Sequence, residues 1–432
     1  MTGQLRIVVT GLIAQHPRLG GVAWDYLQYP VGLAGLGHDV YYLEDSGEWP
    51  YLNDPGPAGD WVAHDCTANL EHLEGVLSRF GLGDRWAYRY PVEPGARWFG
   101  LADSRRAEVL RTADLLINIS GTLEHPERYR DAAVLAYVDS DPVFTQARIH
   151  LDPVFKARVD AHDLHFTFGE RLSFGMAATG HSWLPTRQPI LLDQWQTDDG
   201  AAREVFTTVM SWTSYEPLSF EGSVFAQKDV ELLRFLDLPK RLESGLLEVA
   251  LPPIHHEDWQ SPPARRIDLE GRGNLASSTL SPQELLRAHG WGVTDATSVC
   301  ATLDGYRTYL QDSYGEWSVA KNGYVQGQTG WFSGRSACYL AAGRPTIVQD
   351  TGFGDVLPVG EGLLSFSDED GAVACIESVR ADYGAHAAAA RRLARDHFAA
   401  ETVLSALIDQ ALGPSSLPSG TGGQVPPKGS AR

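Results

Sequence analysis

Two short apolar runs limit the fold more than any other feature: DLLINIS at 114–120 and AVLAYVDS at 133–140. Neither alternates apolar with polar residues, so neither suits a sheet with one wet face. Unbroken runs of this length belong to strands covered on both sides. Further strand-like runs lie at 5–12, 39–43 and 164–168, separated by helix-like patterns at 24–36, 69–80, 104–112 and 143–161. Alternation of this kind predicts a parallel, doubly wound sheet.

The pattern pauses at 181–204, where two prolines are followed by acidic and small residues; this reads as an interdomain linker. It then restarts, with strands predicted at 206–212, 246–251, 291–295, 316–320 and 346–349 and helices at 230–236, 282–288, 299–312 and 368–380. Helix-prone residues at 385–398 and 402–412 close the folded part. The fold class is therefore α/β, with two Rossmann-like doubly wound domains: residues 1–190, then 200–397, a C-terminal helix at 398–412 and a disordered Gly/Pro/Ser-rich tail at 413–432. Residues 252–279 read as a long surface insertion. A chain of 432 residues is long enough for two such cores.

Charge excludes some partners. The net charge of −20 argues against a nucleic-acid polymer or an anionic membrane surface. No apolar run approaches the roughly 18 residues of a membrane span. The N-terminus MTGQLRIVVTGLIAQ has no basic region or cleavage site, and the four cysteines are scattered, so a cytoplasmic protein with reduced thiols is expected. The five lysines include Lys228 and Lys321, both placed after strand-like segments of the second half.

The segment GWFSGRSACYLAAGRPTIVQDTGFGDVLP, 330–358, carries the strongest chemical signal. A short helix is predicted from Gly334 to Ala342, stopped by Gly343, where a left-handed backbone costs little. The strand Thr346 to Gln349 follows, and Asp350-Thr351-Gly352-Phe353 forms the loop beyond it. Free N–H groups at the helix start, with Arg335 and Ser336 beside them, make a candidate anion site. The ligand implied is phosphorylated.

A second glycine-rich turn, Gly20-Gly21, precedes the first helix, and LAGLGHDVYYL at 33–43 ends that helix and enters the second strand. With these motifs the chain resembles the GT-B glycosyltransferases, nucleotide-sugar-dependent enzymes similar to bacterial families 1 and 4. In them a turn and helix of the form S-x-x-E-A-x-A-x-G-x-P hold the donor diphosphate and ribose; the matching segment here is GRSACYLAAGRP. The resemblance runs from the first strand to the last helices. It implies two Rossmann-like domains facing each other across a cleft, with acceptor on the first and donor on the second.

The resemblance implies donor-diphosphate contacts from Gly20, Gly21, Lys228, Lys321, Arg335 and Ser336. Gln349, Asp350, Thr351, Gly352 and Phe353 correspond to the loop that contacts the transferred sugar. Two departures stand out. Cys338 occupies the place of the carboxylate that usually holds the donor ribose, which leaves Glu316 or Asp355 for that task. Gly330 stands where many retaining members carry the first of two glutamates. His16, in the loop after the first strand, corresponds to the base of inverting members, with Asp139, Asp141 or Asp25 as the carboxylate that orients it.

The implied activity is transfer of a sugar from a nucleoside-diphosphate donor such as a UDP-sugar to a natural product or cell-surface glycan. The alternatives are a sugar-nucleotide 2-epimerase of the same fold and a non-catalytic sugar-nucleotide-binding partner protein. No metal or other cofactor is expected to be required. Asp139-Ser140-Asp141 and His255-His256-Glu257-Asp258 have ligand residue types, but neither is assigned a metal. The acceptor side is rich in aromatics: Trp24, Tyr26, Trp49, Tyr51, Trp61, Trp86 and Trp98, which suit stacking on sugars or planar acceptors.

Overall fold

Strand β1 (Arg6–Thr10) is covered on both faces and lies at the centre of an eight-stranded sheet. Around it run β2 (Asp39–Glu44), β3 (Trp86–Tyr90), β4 (Arg97–Gly100), β5 (Leu115–Ile119), β6 (Leu135–Asp139), β7 (Leu164–Thr167) and β8 (Trp183–Pro185). The order is β4-β3-β2-β1-β5-β6-β7-β8, parallel throughout except for the antiparallel edge strand β4. The computed structural model describes residues 3–52, 65–91, 97–172, 179–197, 203–253 and 280–413. Trp61, the 255–258 cluster and most of the tail (414–432) lie outside these residues.

A second, six-stranded parallel sheet is built from β9 (Phe206–Val209), β12 (Leu247–Leu251), β13 (Gly292–Asp295), β14 (Gly315–Ser318), β15 (Thr346–Gln349) and β16 (Leu363–Phe366). Its order is β13-β12-β9-β14-β15-β16. A small antiparallel hairpin, β10 (Leu218–Phe220) with β11 (Ser223–Phe225), stands apart. Both large sheets reverse direction of winding beside their first strand, at β1/β5 and at β9/β14. Ligands of doubly wound sheets bind at such switch points, beyond the carboxyl ends of the strands.

Several local expectations are corrected. The single helix predicted at 143–161 is two, Phe144–Leu151 and Pro153–Asp160, because Asp152 caps the second through bonds from Val154 N (2.9 Å) and Phe155 N (3.0 Å) and Pro153 opens it. The 181–204 segment is more structured than a linker: it supplies β8 and a short helix, Leu192–Trp195. Ile190 and Trp195 are fully buried. Strands β3, β4 and β16 and the hairpin were not predicted.

One apolar core crosses between the sheets through the first helix, Gly20–Gly35. Gly32 lets that helix approach the last helix, Ala400–Leu412, so closely that an added Cβ would stand 2.6 Å from Leu404. The chain end returns to the first sheet's side at Ile190, whose N–H donates to Phe398 O (2.7 Å) and whose carbonyl accepts from Ala400 N (2.9 Å). This packing sets the width of the cleft between the sheets. No helix among the described residues is long and apolar enough to cross a membrane.

Candidate functional site

The helix Gly334–Ala341 starts at the carboxyl edge of the second sheet, and Gly343 ends it with φ +71. Its first turn points into the cleft. Arg335 donates from Nε to Glu316 Oε1 (2.7 Å) and from one terminal nitrogen to Val209 O (2.6 Å). Val209 ends β9, so the guanidinium is pinned at the switch point of the sheet. Glu316 is fully buried in β14 and spends one oxygen on Arg335. In this arrangement it orients the arginine from beneath.

Ser336 follows, 1% exposed, and its hydroxyl has no hydrogen-bond partner among the described residues. It lines a cavity of about 10 Å³ together with Arg335, Ser318, Gln349 and Thr351. That is room for about one water. Lys228 begins the helix Lys228–Arg234 nearby. Among the described residues it makes no hydrogen bond or ion pair within 4 Å. Burial, then repulsion from Arg335 and Lys321, holds its pKa well below the usual lysine value. A crowded cation and an unpaired buried hydroxyl beside a helix start are a site that favours an anion.

The 349–353 loop is held mostly by its own side chains. The Gln349 amide is engaged at both ends, accepting from Ala320 N (3.1 Å) and donating to Glu231 Oε2 (2.5 Å). Thr351 donates to Trp331 O (2.5 Å), and Phe353 is buried edge-on against Phe332. Asp350 accepts from Gly352 N (2.9 Å), closing a tight turn in which Gly352 has φ +85. Asp355, the other candidate for the ribose, is ion-paired with Arg171 (2.9 Å).

The first glycine turn has a different use from the one predicted. Gly20 N donates to Cys300 O (2.8 Å), and a Cβ on Gly20 would stand 2.1 Å from Thr302 O. A Cβ on Gly21 would press on the Tyr306 ring at 2.9 Å. Both glycines therefore dock the first helix against the second domain, and the Gly20 N–H is not available to a diphosphate. Sequence alone could not tell a close approach to a ligand from a close approach to another helix.

His16 stacks on Tyr51 (centroids 4.9 Å apart, planes at 9°), and burial lowers its pKa. The expected pairing with Asp139 or Asp141 is not formed. Asp139 is 1% exposed and accepts from Asp141 N (2.9 Å), Thr145 Oγ1 (2.7 Å), Gln146 Nε2 (2.9 Å) and Thr167 Oγ1 (2.9 Å). Four donors satisfy it as a structural carboxylate. The His16 loop is instead anchored by Glu44, a buried carboxylate no sequence signal marked. It accepts from Ala14 N (2.9 Å), Gln15 N (2.6 Å) and Tyr42 OH (2.9 Å). Burial pushes its pKa up to about 7 against the pull of those donors.

Asp141 reaches across the cleft. It accepts from Lys321 Nζ (3.0 Å) and from the hydroxyls of Tyr215 and Tyr324. The Lys321 ammonium also lies over the rings of Tyr215 (4.5 Å), Phe144 (5.1 Å) and Tyr324 (5.3 Å). Lys321 thus clasps the two domains together. Beside the clasp is a cavity of about 460 Å³ lined by Ser120, Tyr137, Asp141, Phe144, Phe155 and Tyr215. Among the described residues no three His, Cys, Asp or Glu side chains are grouped to hold a metal ion.

Asp25 sits on the cleft floor. Its side chain reaches solvent, yet protein crowds it closely enough to push its pKa up to about 7, with Arg335 pulling the other way. Its Oδ1 lies 3.3 Å from where a Cβ of Gly334 would be, so the carboxylate faces the start of that helix.

Solved structures share this architecture. The chain is similar to Anabaena HepE in complex with UDP-glucose (11% identity, TM-score 0.54, covering 96% of this chain and 100% of that one). The HepE complex with UDP matches to the same extent at 10% identity. Sucrose-phosphate synthase from Thermosynechococcus elongatus aligns at 12% identity with TM-score 0.50, covering 94% and 98%. No protein-family model and no curated protein matches the chain. The fold is GT-B, as the sequence motifs implied.

Proposed function

We propose that this GT-B chain transfers a sugar from a nucleoside-diphosphate donor to an acceptor bound on its first domain. One observation carries the reading: at the switch point of the second sheet, Arg335 is pinned on buried Glu316 while Lys228 and the Ser336 hydroxyl have no partner among the described residues. Groups left unsatisfied at a helix start are what a diphosphate would satisfy. Cations there also stabilise the charge that grows on the leaving diphosphate as the glycosidic carbon becomes cationic. The solved GT-B neighbours bound to UDP and UDP-glucose support UDP as the nucleotide.

The space beside Ser336 holds about one water in this structure. The 460 Å³ cavity has space for a sugar-sized or small aromatic acceptor, and its rings and hydroxyls suit either. Glu316 is fully buried on Arg335 and Cys338 is buried against Gln28, so neither presents a group to a ribose hydroxyl.

Thermal shift against nucleoside diphosphates and their sugars tests this reading. UDP and UDP-glucose are expected to raise the melting temperature, and Arg335→Ala to weaken the binding at least tenfold. Absence of a shift with every nucleoside diphosphate, or unchanged affinity in Arg335→Ala, would overturn it.

A further inference from the structure

We propose that Asp25 is the proton acceptor of the transfer reaction, placed by the first helix against the start of the Gly334–Ala341 helix. The role rests on the donor reading above. Three features lead to it. The side chain is exposed, and among the described residues its carboxylate has no hydrogen-bond donor; its backbone carbonyl accepts from Gln188 Nε2 (2.7 Å). Its Oδ1 stands over Gly334, 3.3 Å from where a Cβ of that residue would be. It comes from the domain opposite Arg335 and Lys228, so it faces the cations from the acceptor's side. His16, by contrast, is stacked on Tyr51, and among the described residues no carboxylate bonds it.

The surroundings keep the carboxylate basic. Tyr26 and Tyr29 on its own helix, Tyr306 from the Leu303–Asp312 helix and Cys338 and Arg335 from the Gly334 helix are the titratable and charged groups coupled to it. All but Arg335 are neutral near pH 7, so a single cation offsets its burial. In the reaction, the acceptor hydroxyl gives its proton to Asp25 as its oxygen bonds the anomeric carbon. The carbon–oxygen bond to the diphosphate breaks, and its electron pair leaves on the phosphate held by Arg335 and Lys228. One proton is moved, and no other reactant is needed.

The test compares wild type with Asp25→Asn, using UDP and UDP-glucose as probes. Calorimetry reads UDP affinity, and UDP release is followed from pH 5.5 to 8.5, with water or an added acceptor as the nucleophile. Asp25→Asn is expected to bind UDP within about threefold of wild type and to lose turnover by 100-fold or more. The wild-type rate is expected to fall as pH drops below about 7, and added formate to restore part of the variant's rate. Asp25→Glu, which keeps the carboxylate, is expected to be slow but to retain the acid limb; it serves as the second arm if the asparagine variant fails to fold. Asn turnover near wild type with an unchanged pH profile overturns the role. So does faster turnover with tighter UDP binding, which would make Asp25 a competitor for the helix start. Wild type that binds UDP-glucose and releases no UDP overturns the transfer and Asp25's part in it while leaving the donor site standing; wild type that binds neither probe overturns the donor reading itself.

Discussion

Arg335 and Glu316 form an ion pair at 2.7 Å in which the carboxylate is fully buried and the guanidinium side chain is 11% exposed. Its second carboxylate oxygen has no partner among the described residues. The pair fixes the arginine at the carboxyl end of β9 before any ligand arrives. Glu316→Ala leaves a buried cation unpaired, at a cost of about 3–5 kcal/mol. A lower melting temperature and weaker UDP binding are both expected in calorimetry. A Glu316→Ala protein as stable as wild type would show that the pair does not hold the site.

Lys228 should behave oppositely. Burial, and after it repulsion from Arg335 and Lys321, disfavours the charged form of Lys228, so a neutral side chain of similar length costs the fold little. Lys228→Met is therefore expected to melt at or above the wild-type temperature while losing UDP affinity about tenfold or more. Stability gained where function is lost marks a group kept for its ligand. Loss of both together would make Lys228 a structural residue.

Gly20→Ala separates packing from phosphate binding. The added methyl would meet Thr302 O at 2.1 Å, so the first helix must shift away from the second domain. Overpacking of this kind costs about 1–3 kcal/mol. Thermal melts should show that loss without any ligand present. A variant that melts normally and loses only UDP affinity would restore the diphosphate role for Gly20.

Two buried histidines make the first domain acid-sensitive. Burial lowers the pKa of His162 and of His165 from 6.5 to about 4, against bonds to Val159 O that raise them. Between those values the unfolded chain binds more protons than the folded one. Stability is then full above about pH 6.5 and is lost as pH falls toward 4, by up to about 3 kcal/mol per histidine. Melting curves from pH 7 to 4.5 should show the decline, and His165→Gln should flatten it. An unchanged slope in that variant would assign the acid loss elsewhere.

Much of the architecture was legible because backbone burial leaves a local mark. Strands β5 and β6 read as unbroken apolar runs, and the helix before Gly343 was bounded by a glycine that does take a positive φ. The hairpin left a weaker mark, since its strands are three residues long and mostly half-exposed. Of the candidate site, Arg335, Ser336 and Lys228 could be read from their places after strands and at a helix start.

The sequence by itself determined the two doubly wound sheets and the helix start that collects charge, because strand burial and helix capping act within a few residues. Which groups meet across the cleft was decided only by the tertiary structure. Lys321 and Asp141 are 180 residues apart in the chain, yet they bond at 3.0 Å. Gly20 meets Thr302, and Asp25 meets Gly334, on the same terms. Three of the four donors to Asp139, from Asp141, Thr145 and Gln146, follow it within seven residues, whereas Thr167 comes from the neighbouring strand. Charge and hydrogen-bond partners depend on distances set by domain packing, and a one-dimensional pattern does not contain those distances.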